Sequence, residues 1–236
     1  MRLVTPLLLK LGLYHPLRKL AFALRNRGRS AGEVFTDIYR HNRWQGSESR
    51  SGEGSSLQQT EALISHLPQV LQRYGVRMML DIPCGDFHWM SRVDLTEVAY
   101  IGADIVPDVI ATNTARYATP GKEFRVIDLC AGPLPRTDMV FCRDCMVHLP
   151  FSMLARAIAQ IRASGATYLM ATTFPGTSEN RDVALGDFRP LNLQLAPFNF
   201  PPPFEVVEEH CTESGGAHAD KAMGIWRVAD LPELQV

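Results

Sequence analysis

Three aspartates close three apolar segments at nearly equal spacing along the middle of the chain. They are Asp81, Asp104 and Asp128, separated by 23 and 24 residues, which is the length of one strand plus one helix. In a parallel sheet the carboxyl ends of all strands lie at one edge, and ligands bind there. The spacing therefore predicts an α/β fold with a polar site at one sheet edge. The alternative is three independent helix caps or surface acids.

The first of these acids opens a tight turn with the sequence Pro83-Cys84-Gly85-Asp86. Gly85 removes the Cβ that would keep a ligand away from the backbone, and Asp86 is predicted to cap a following helix. A dinucleotide turn needs the pattern G-x-G-x-x-G so that a pyrophosphate can lie against the chain. One glycine followed by an acid disfavours phosphate. We therefore expect a cofactor that carries ribose and adenine but no phosphate.

Strand-like and helix-like segments alternate from residue 78 onward, which is typical of a parallel sheet with helices on both faces. The predicted parallel strands are Met78–Ile82, Val98–Ala103, Phe124–Ile127, Met139–Cys142 and Thr167–Phe174, with helices from about Asp86, from Pro107 and from Pro150. Two later runs, Phe204–Val207 and Met223–Val228, are predicted to pair as an antiparallel edge. The predicted fold is a doubly wound, mainly parallel, seven-stranded Rossmann-like sheet with an antiparallel edge strand.

Residues 1–56 are predicted to form a basic helix and a cap that precede a domain spanning residues 57–236. Residues 1–29 contain seven Lys and Arg and no acid, whereas the remainder contains 17 Lys and Arg against 25 Asp and Glu. This basic amphipathic segment would lie on an anionic membrane surface, or else pack on the domain with its basic face in water. The net charge of −1 gives no reason to expect a nucleic-acid partner.

Residues 30–56 lack a sustained apolar repeat but contain Phe35, Tyr39 and Trp44, which predicts a loop-dominated cap over the site. A helical repeat follows, with Ser55 or Ser56 as its cap. Pro68 is predicted to kink this helix or divide it in two.

Five cysteines and the absence of a long apolar run indicate a cytoplasmic protein. Cys84, Cys130 and Cys142 lie in or beside apolar strands, as reduced buried thiols do. The spacing Cys142-x-x-Cys145 also fits a metal or redox site, but a structural zinc needs a second ligand pair, and only the lone Cys211 remains. No metal is therefore predicted, and neither a membrane-spanning helix nor a secretion signal is recognisable.

The turn after the first strand resembles the first motif of class I S-adenosylmethionine-dependent methyltransferases, Asp81-Ile82-Pro83-Cys84-Gly85-Asp86. Asp104 is similar to the ribose-binding acid of that superfamily, and Asp128-Leu129 to its adenine-flanking pair. The resemblance covers roughly residues 60–230 and departs from the motif at Pro83 and at Asp86-Phe87, where a second glycine is common. The wider pattern resembles an uncharacterised bacterial methyltransferase-like family in the segments Trp44, Glu48–Gly52, Cys84–Met90, Cys142–Leu149 and Pro190–Leu193.

The resemblance implies S-adenosylmethionine as cofactor and methyl transfer to a small-molecule or glycan-type acceptor by in-line displacement. The implied cofactor-binding residues are Asp81, Pro83, Cys84, Gly85, Asp86, Asp104, Ile105, Asp128, Leu129, Cys142, Arg143, Trp44 and Arg50. Asp144 and His148 are the candidate general bases, because a hydroxyl or amine acceptor sheds a proton. The alternative is that His148 caps or packs against the following helix and Asp144 pairs with Arg143. Residues 175–203 are predicted to form an acceptor loop that presents Arg189, Asn192, Phe198 and Phe200. The alternative is a degenerate methyltransferase fold that serves as a non-catalytic cofactor-sensing or interaction module.

Overall fold

A seven-stranded sheet runs through the centre of the computed structural model, which describes residues 24–234. Its strands are β1 (Met78–Asp81), β2 (Ala99–Asp104), β3 (Lys122–Val126), β4 (Met139–Cys142), β5 (Tyr168–Thr173), β6 (Glu205–Glu208) and β7 (Ala222–Arg227). Their order is β3-β2-β1-β4-β5-β7-β6, in which β1 to β5 are parallel and β7 runs antiparallel to both of its neighbours. The predicted fold class is confirmed, with the reversed strand β7 between β5 and the edge strand β6.

Helices flank the sheet where the sequence provides caps and an apolar stripe. They are α1 (Ala31–Arg40), α2 (Leu57–Arg73), α3 (Pro107–Tyr117) and α4 (Phe151–Ala163). The Ser56 side chain accepts a hydrogen bond from the Gln59 N–H at the start of α2. Pro68 does not divide α2, which continues through it, because buried leucines on both sides of the proline hold the helix against the sheet.

The core consists of two apolar layers, one on each face of the sheet, because successive strand residues point to opposite faces. Leu80 and Val140 pack in the layer that contains α4, whereas Met79 and Phe141 pack in the layer that contains α2. Each such side chain, when fully buried, contributes about 1.5–3 kcal/mol to folding. The two layers fix the strand positions and therefore the edge at which the acids emerge.

The segment after β1 differs from the prediction, because no α-helix starts at Asp86. Turns lead instead to a short 3₁₀ helix at Met90–Arg92. Phe87 adopts a φ of 58° and is buried, with its ring between 5.0 and 5.2 Å from those of Tyr100, Tyr117 and Phe124. This aromatic packing replaces the predicted helix.

Two further boundaries differ from the prediction. Strand β3 ends at Val126, two residues before Asp128, so Asp128 lies in the loop beyond the strand. Residues 31–40, predicted to be loop, form α1, which begins with reciprocal hydrogen bonds between Ser30 and Glu33. The sequence did not predict α1, because the helix buries only Val34 and Ile38, and two apolar positions do not make a clear helical repeat.

Residues 175–203 contain no helix or strand, as predicted. Hydrogen bonds from side-chain amides nevertheless connect distant parts of this segment. The Asn180 amide donates to the carbonyl oxygens of Asn192 and Ala196, and Asn192 donates to those of Pro175 and Thr177. The segment is therefore held in a defined shape without regular hydrogen bonding.

The predicted basic helix falls mostly on residues 1–23, which lie outside the described residues. Between residues 24 and 234, no helix has the length and apolar character needed to cross a bilayer.

Candidate active site

A cavity of about 760 Å³ opens at the carboxyl ends of β1, β2 and β4. The turn after β1 lines it, as do the acids that follow β2 and β3 and the segment after β4. Every residue predicted to bind the cofactor or act as base lines this cavity, with the exception of Cys142. Cys142 is buried in the apolar core, because side chains alternate along β4 and its neighbour Phe141 faces the cavity instead.

Gly85 shapes the floor of the cavity. It has a φ of 52°, and a Cβ placed on it would lie 2.3 Å from the Ser51 hydroxyl. Its carbonyl accepts a hydrogen bond of 2.8 Å from the Asn113 amide, which is fully buried. No residue other than glycine fits this position without displacing Ser51.

Asp104 is buried at the end of β2 with its carboxylate held by the backbone. Its Oδ1 accepts from the Val106 N–H at 2.9 Å and its Oδ2 from the Gly85 N–H at 3.2 Å. Each oxygen therefore keeps a lone pair for one further donor. Burial raises the pKa of Asp104 to about 6, although the backbone donors oppose this shift.

Asp81 and Asp128 occupy different environments. Asp81 is 3% exposed and accepts a 2.5 Å hydrogen bond from the Tyr100 hydroxyl, and burial raises its pKa to about 7. Asp128 is half-buried and accepts from the Cys130 N–H at 2.8 Å, beside the buried Leu129. Asp128 is thus the more accessible carboxylate of the two.

Asp86 anchors the N-terminal segment instead of capping a helix. Its carboxylate accepts from the Ser49 hydroxyl at 2.8 and 2.9 Å and from the Arg50 N–H at 2.9 Å. The Asp86 N–H donates in turn to the Ser51 hydroxyl. These bonds hold residues 49–51 over the turn, and the Arg50 side chain lines the cavity from above Tyr39.

The segment after β4 carries a charged cluster that the sequence did not reveal. Asp144, at a φ of 51°, pairs with Lys221 Nζ at 2.5 Å. Burial would raise the pKa of Asp144, but the charges of Lys221 and Arg143 outweigh it and lower the pKa to about 2. The Arg143 guanidinium donates to Glu209 and to the Gly54 carbonyl. Arg143 therefore lines the cavity as a braced residue with its donors largely engaged.

His148 is fixed in one tautomer by a backbone carbonyl of the segment 175–203. Its Nδ1 lies 3.0 Å from the Asp187 carbonyl oxygen, which can only accept, so Nδ1 carries the proton and Nε2 is left with a lone pair. The ring stacks on Trp44 with centroids 5.0 Å apart. Burial lowers the pKa of His148 below its usual 6.5, so the imidazole is neutral at physiological pH.

The segment 175–203, predicted to be an acceptor loop, meets the cavity through residues other than those predicted. Gly186, Asp187 and Phe188 line the cavity, whereas the four predicted residues are buried outside it (Arg189, Asn192, Phe198 and Phe200). Arg189 donates to the Met146 and Val147 carbonyls and so braces the turn that carries His148.

The thiols and imidazoles near the cavity form no metal centre within the described ranges. All five cysteines are free thiols. From residue 24 to residue 234, no group of three or more His, Cys, Asp or Glu side chains is arranged to hold a metal ion.

Comparisons by sequence and by structure give different results. No protein-family model and no curated protein sequence matches this chain. The structure is similar to human N-acetylserotonin methyltransferase in complex with SAM (15% identity, TM-score 0.56, covering 91% of this chain and 66% of that one). It is also similar to Burkholderia thailandensis 1,6-didemethyltoxoflavin-N1-methyltransferase, solved with 1,6-didemethyltoxoflavin and S-adenosylhomocysteine (16% identity, TM-score 0.56, covering 83% and 86%). The chain therefore has the Rossmann-like fold of class I S-adenosylmethionine-dependent methyltransferases.

Proposed function

We propose that this chain is an S-adenosylmethionine-dependent methyltransferase that acts on a small-molecule or glycan-type acceptor. One observation carries the proposal: a single cavity contains the Gly85 turn, Asp104 and Asp128 together with a neutral His148 that keeps a free Nε2. The first three residues suit a cofactor with ribose and adenine, and His148 suits an acceptor that must lose a proton.

The residues at the strand ends fit this cofactor. Asp104 keeps one lone pair on each oxygen, which suits two neighbouring ribose hydroxyls. Asp128 and Leu129 line the same cavity and are assigned to flank the adenine, and the Gly85 turn, which has no side chain at that position, is assigned to the methionine part. Arg50 lies on the cavity wall above this turn and is assigned to the methionine carboxylate. When bound, S-adenosylmethionine supplies a methyl group on a positively charged sulfur, and the acidic lining favours that charge.

His148 is the better candidate for the general base. Asp144 has a low pKa and is held by Lys221 at 2.5 Å, so it is a weak base. The Nδ1–H of His148 is fixed by the Asp187 carbonyl, and Nε2 can accept the proton that an attacking hydroxyl or amine releases. A base in this position accelerates such reactions by about 10²–10⁴-fold, and alignment of the reacting groups contributes further.

Calorimetric titration with S-adenosylhomocysteine tests the cofactor site. Asp104→Ala should weaken binding by about tenfold or more, because two charge-assisted hydrogen bonds are lost. His148→Ala should bind the ligand as the wild type does but slow methyl transfer from labelled cofactor to acceptors in a cell extract. Asp108→Ala, which removes an exposed acid at the start of α3, is the matched control.

The outcomes separate the possible functions. Failure of the wild type to bind at millimolar ligand rules out the cofactor assignment. Binding without transfer to any acceptor supports a cofactor-sensing module instead of an enzyme. A larger loss of affinity in His148→Ala than in Asp104→Ala contradicts the assignment of the two ends of the cavity.

A further inference from the structure

Aromatic rings surround His148 at the end of the cavity that we assign to the acceptor. Phe188 lies 5.9 Å from His148 and 5.1 Å from His218, and Trp44 stacks on His148. We call these four residues the aromatic cluster. Phe188 is 36% exposed although it lines a cavity. Aromatic faces at this position suit a ligand with a flat apolar face.

Two partly exposed carboxylates converge at the same end of the cavity. Asp144 and Glu213 are 26% and 27% exposed. A Cβ on Gly54 would lie 2.9 Å from the Glu213 carboxylate and 3.4 Å from that of Asp144, so the two groups share one small space. Lys221 Nζ lies between them, at 2.5 Å from Asp144 and 3.8 Å from Glu213. Carboxylates only accept hydrogen bonds, so their free lone pairs select O–H or N–H donors.

The charges at this end argue against an anionic acceptor and against an amine. Three carboxylates, those of Asp144, Glu209 and Glu213, share the two cations Arg143 and Lys221, which leaves one negative charge in excess in this cluster. A phosphate or carboxylate on the acceptor would be repelled. An amine next to these carboxylates would be held in its ammonium form, which has no lone pair for attack. A neutral hydroxyl is not repelled by the carboxylates, and it keeps a lone pair for attack while a base beside it takes its proton.

We propose, on the basis of the methyltransferase function above, that the acceptor is an uncharged sugar ring. Its C–H face packs on the aromatic cluster, and neighbouring hydroxyls donate to Asp144 and Glu213. One hydroxyl oxygen forms the new bond to the methyl carbon while the carbon–sulfur bond breaks and its electron pair stays on sulfur. The hydroxyl proton passes to Nε2 of His148.

A labelled-methyl assay with the full chain tests the acceptor class. The probes are the methyl glycosides of glucose, galactose, mannose, xylose and rhamnose, compared with the corresponding sugar phosphates, with glucosamine and with catechol. Label should enter the neutral glycosides at least about tenfold faster than the phosphates, because the excess negative charge at this end of the cavity repels a phosphate. Preferential labelling of a phosphate, an amine or catechol overturns the proposal.

Binding of S-adenosylhomocysteine, measured on the same preparation, separates this proposal from the preceding one. A chain that binds the ligand but labels none of the glycosides overturns the sugar assignment and leaves the cofactor assignment intact. A chain that does not bind the ligand overturns the methyltransferase function itself.

Two substitutions then test the residues, with two matched controls. Glu213→Gln and Phe188→Ala should each raise the KM for the labelled glycoside by about tenfold and leave the Kd for S-adenosylhomocysteine within about twofold of the wild type. Glu208→Gln and Phe204→Ala, both exposed near the sheet edge, should change neither value. Equal effects of the test and control variants, or a change in Kd alone, contradict the proposed contacts. Thermal unfolding of each variant confirms that it is folded.

Discussion

The contact between Gly85 and Ser51 makes a quantitative prediction for Gly85→Ala. An alanine here must adopt a φ of 52°, which costs about 1–2 kcal/mol. Its Cβ would lie 2.3 Å from the Ser51 hydroxyl, so that hydroxyl must move and lose its hydrogen bond from the Asp86 N–H, worth about 1 kcal/mol. We therefore expect a loss of about 2–3 kcal/mol in the free energy of unfolding, which corresponds to roughly 4–12 °C in Tm for a chain of this size.

A double-mutant cycle with Ser51→Ala isolates the contact. In the wild type, Ser51→Ala should cost about 1 kcal/mol, because the hydroxyl that accepts from the Asp86 N–H and donates, at 3.4 Å, to the Asp86 carboxylate is lost. In the Gly85→Ala background it should cost nothing or stabilise, because the displaced hydroxyl no longer has its partner. Urea unfolding of the four proteins measures the coupling. Effects that add to within about 0.5 kcal/mol, or a Gly85→Ala variant as stable as the wild type, refute the reasoning.

Three further predictions concern charges in and beside the cavity. Burial raises the pKa of Asp81 to about 7, against about 3.9 for an unfolded aspartate, so the contribution of Asp81 to stability falls as the pH rises from about 4 to about 7. The Asp81→Asn variant should therefore gain stability relative to the wild type over that pH interval. Parallel curves of Tm against pH for the two proteins contradict this prediction. Lys221→Met should cost about 3–5 kcal/mol in urea unfolding, because it leaves Asp144, Glu209 and Glu213 with Arg143 as the one cation among them. Arg77→Met, which breaks an exposed pair, should not move the midpoint. Because burial lowers the pKa of His148, the fall of kcat on the acid side should have its midpoint below pH 6.5. A midpoint above pH 6.5, or an acid-side fall that persists in His148→Gln, excludes His148 as the base.

The end of the cavity that we assign to the cofactor was predictable because its signals are local in sequence. An apolar run, an acid and a helical spacing occur within one strand–helix unit, so the positions of Asp81 and Asp104 followed directly. The prediction for β3 was less accurate, since Arg125 and Val126 are exposed on this edge strand and hydrophobicity does not mark its end.

The end that we assign to the acceptor was not predictable to the same degree. Arg143 and Glu209 are 66 residues apart in the sequence, and Asp144 and Lys221 are 77 residues apart. No local sequence pattern predicts ion pairs between residues so far apart. The prediction of a helix after β1 was wrong for a related reason. Phe87 packs against rings on β2, β3 and α3, and these partners are distant in sequence. The spacing of residues within one strand or helix does not indicate which distant residues will contact it.

The prediction of which side chains of the segment 175–203 face the cavity was wrong. Bulky and polar residues such as Arg189 and Phe198 were expected at the cavity, but both are buried elsewhere. In a segment without periodicity, neither a period of 2 nor one of 3.6 indicates which residues share a face.

The reversed direction of β7 has a consequence for the order in which the site is assembled during synthesis. Because β7 runs against β5, the residue that precedes it, Lys221, emerges at the edge where the parallel strands end. A nascent chain released only as far as residue 220 would already contain the glycine turn, the three acids and His148, yet Asp144 would face Arg143 and Glu209 without its lysine. The second of the two cations that neutralise Asp144 is therefore synthesised after every other residue that we assign to the reaction.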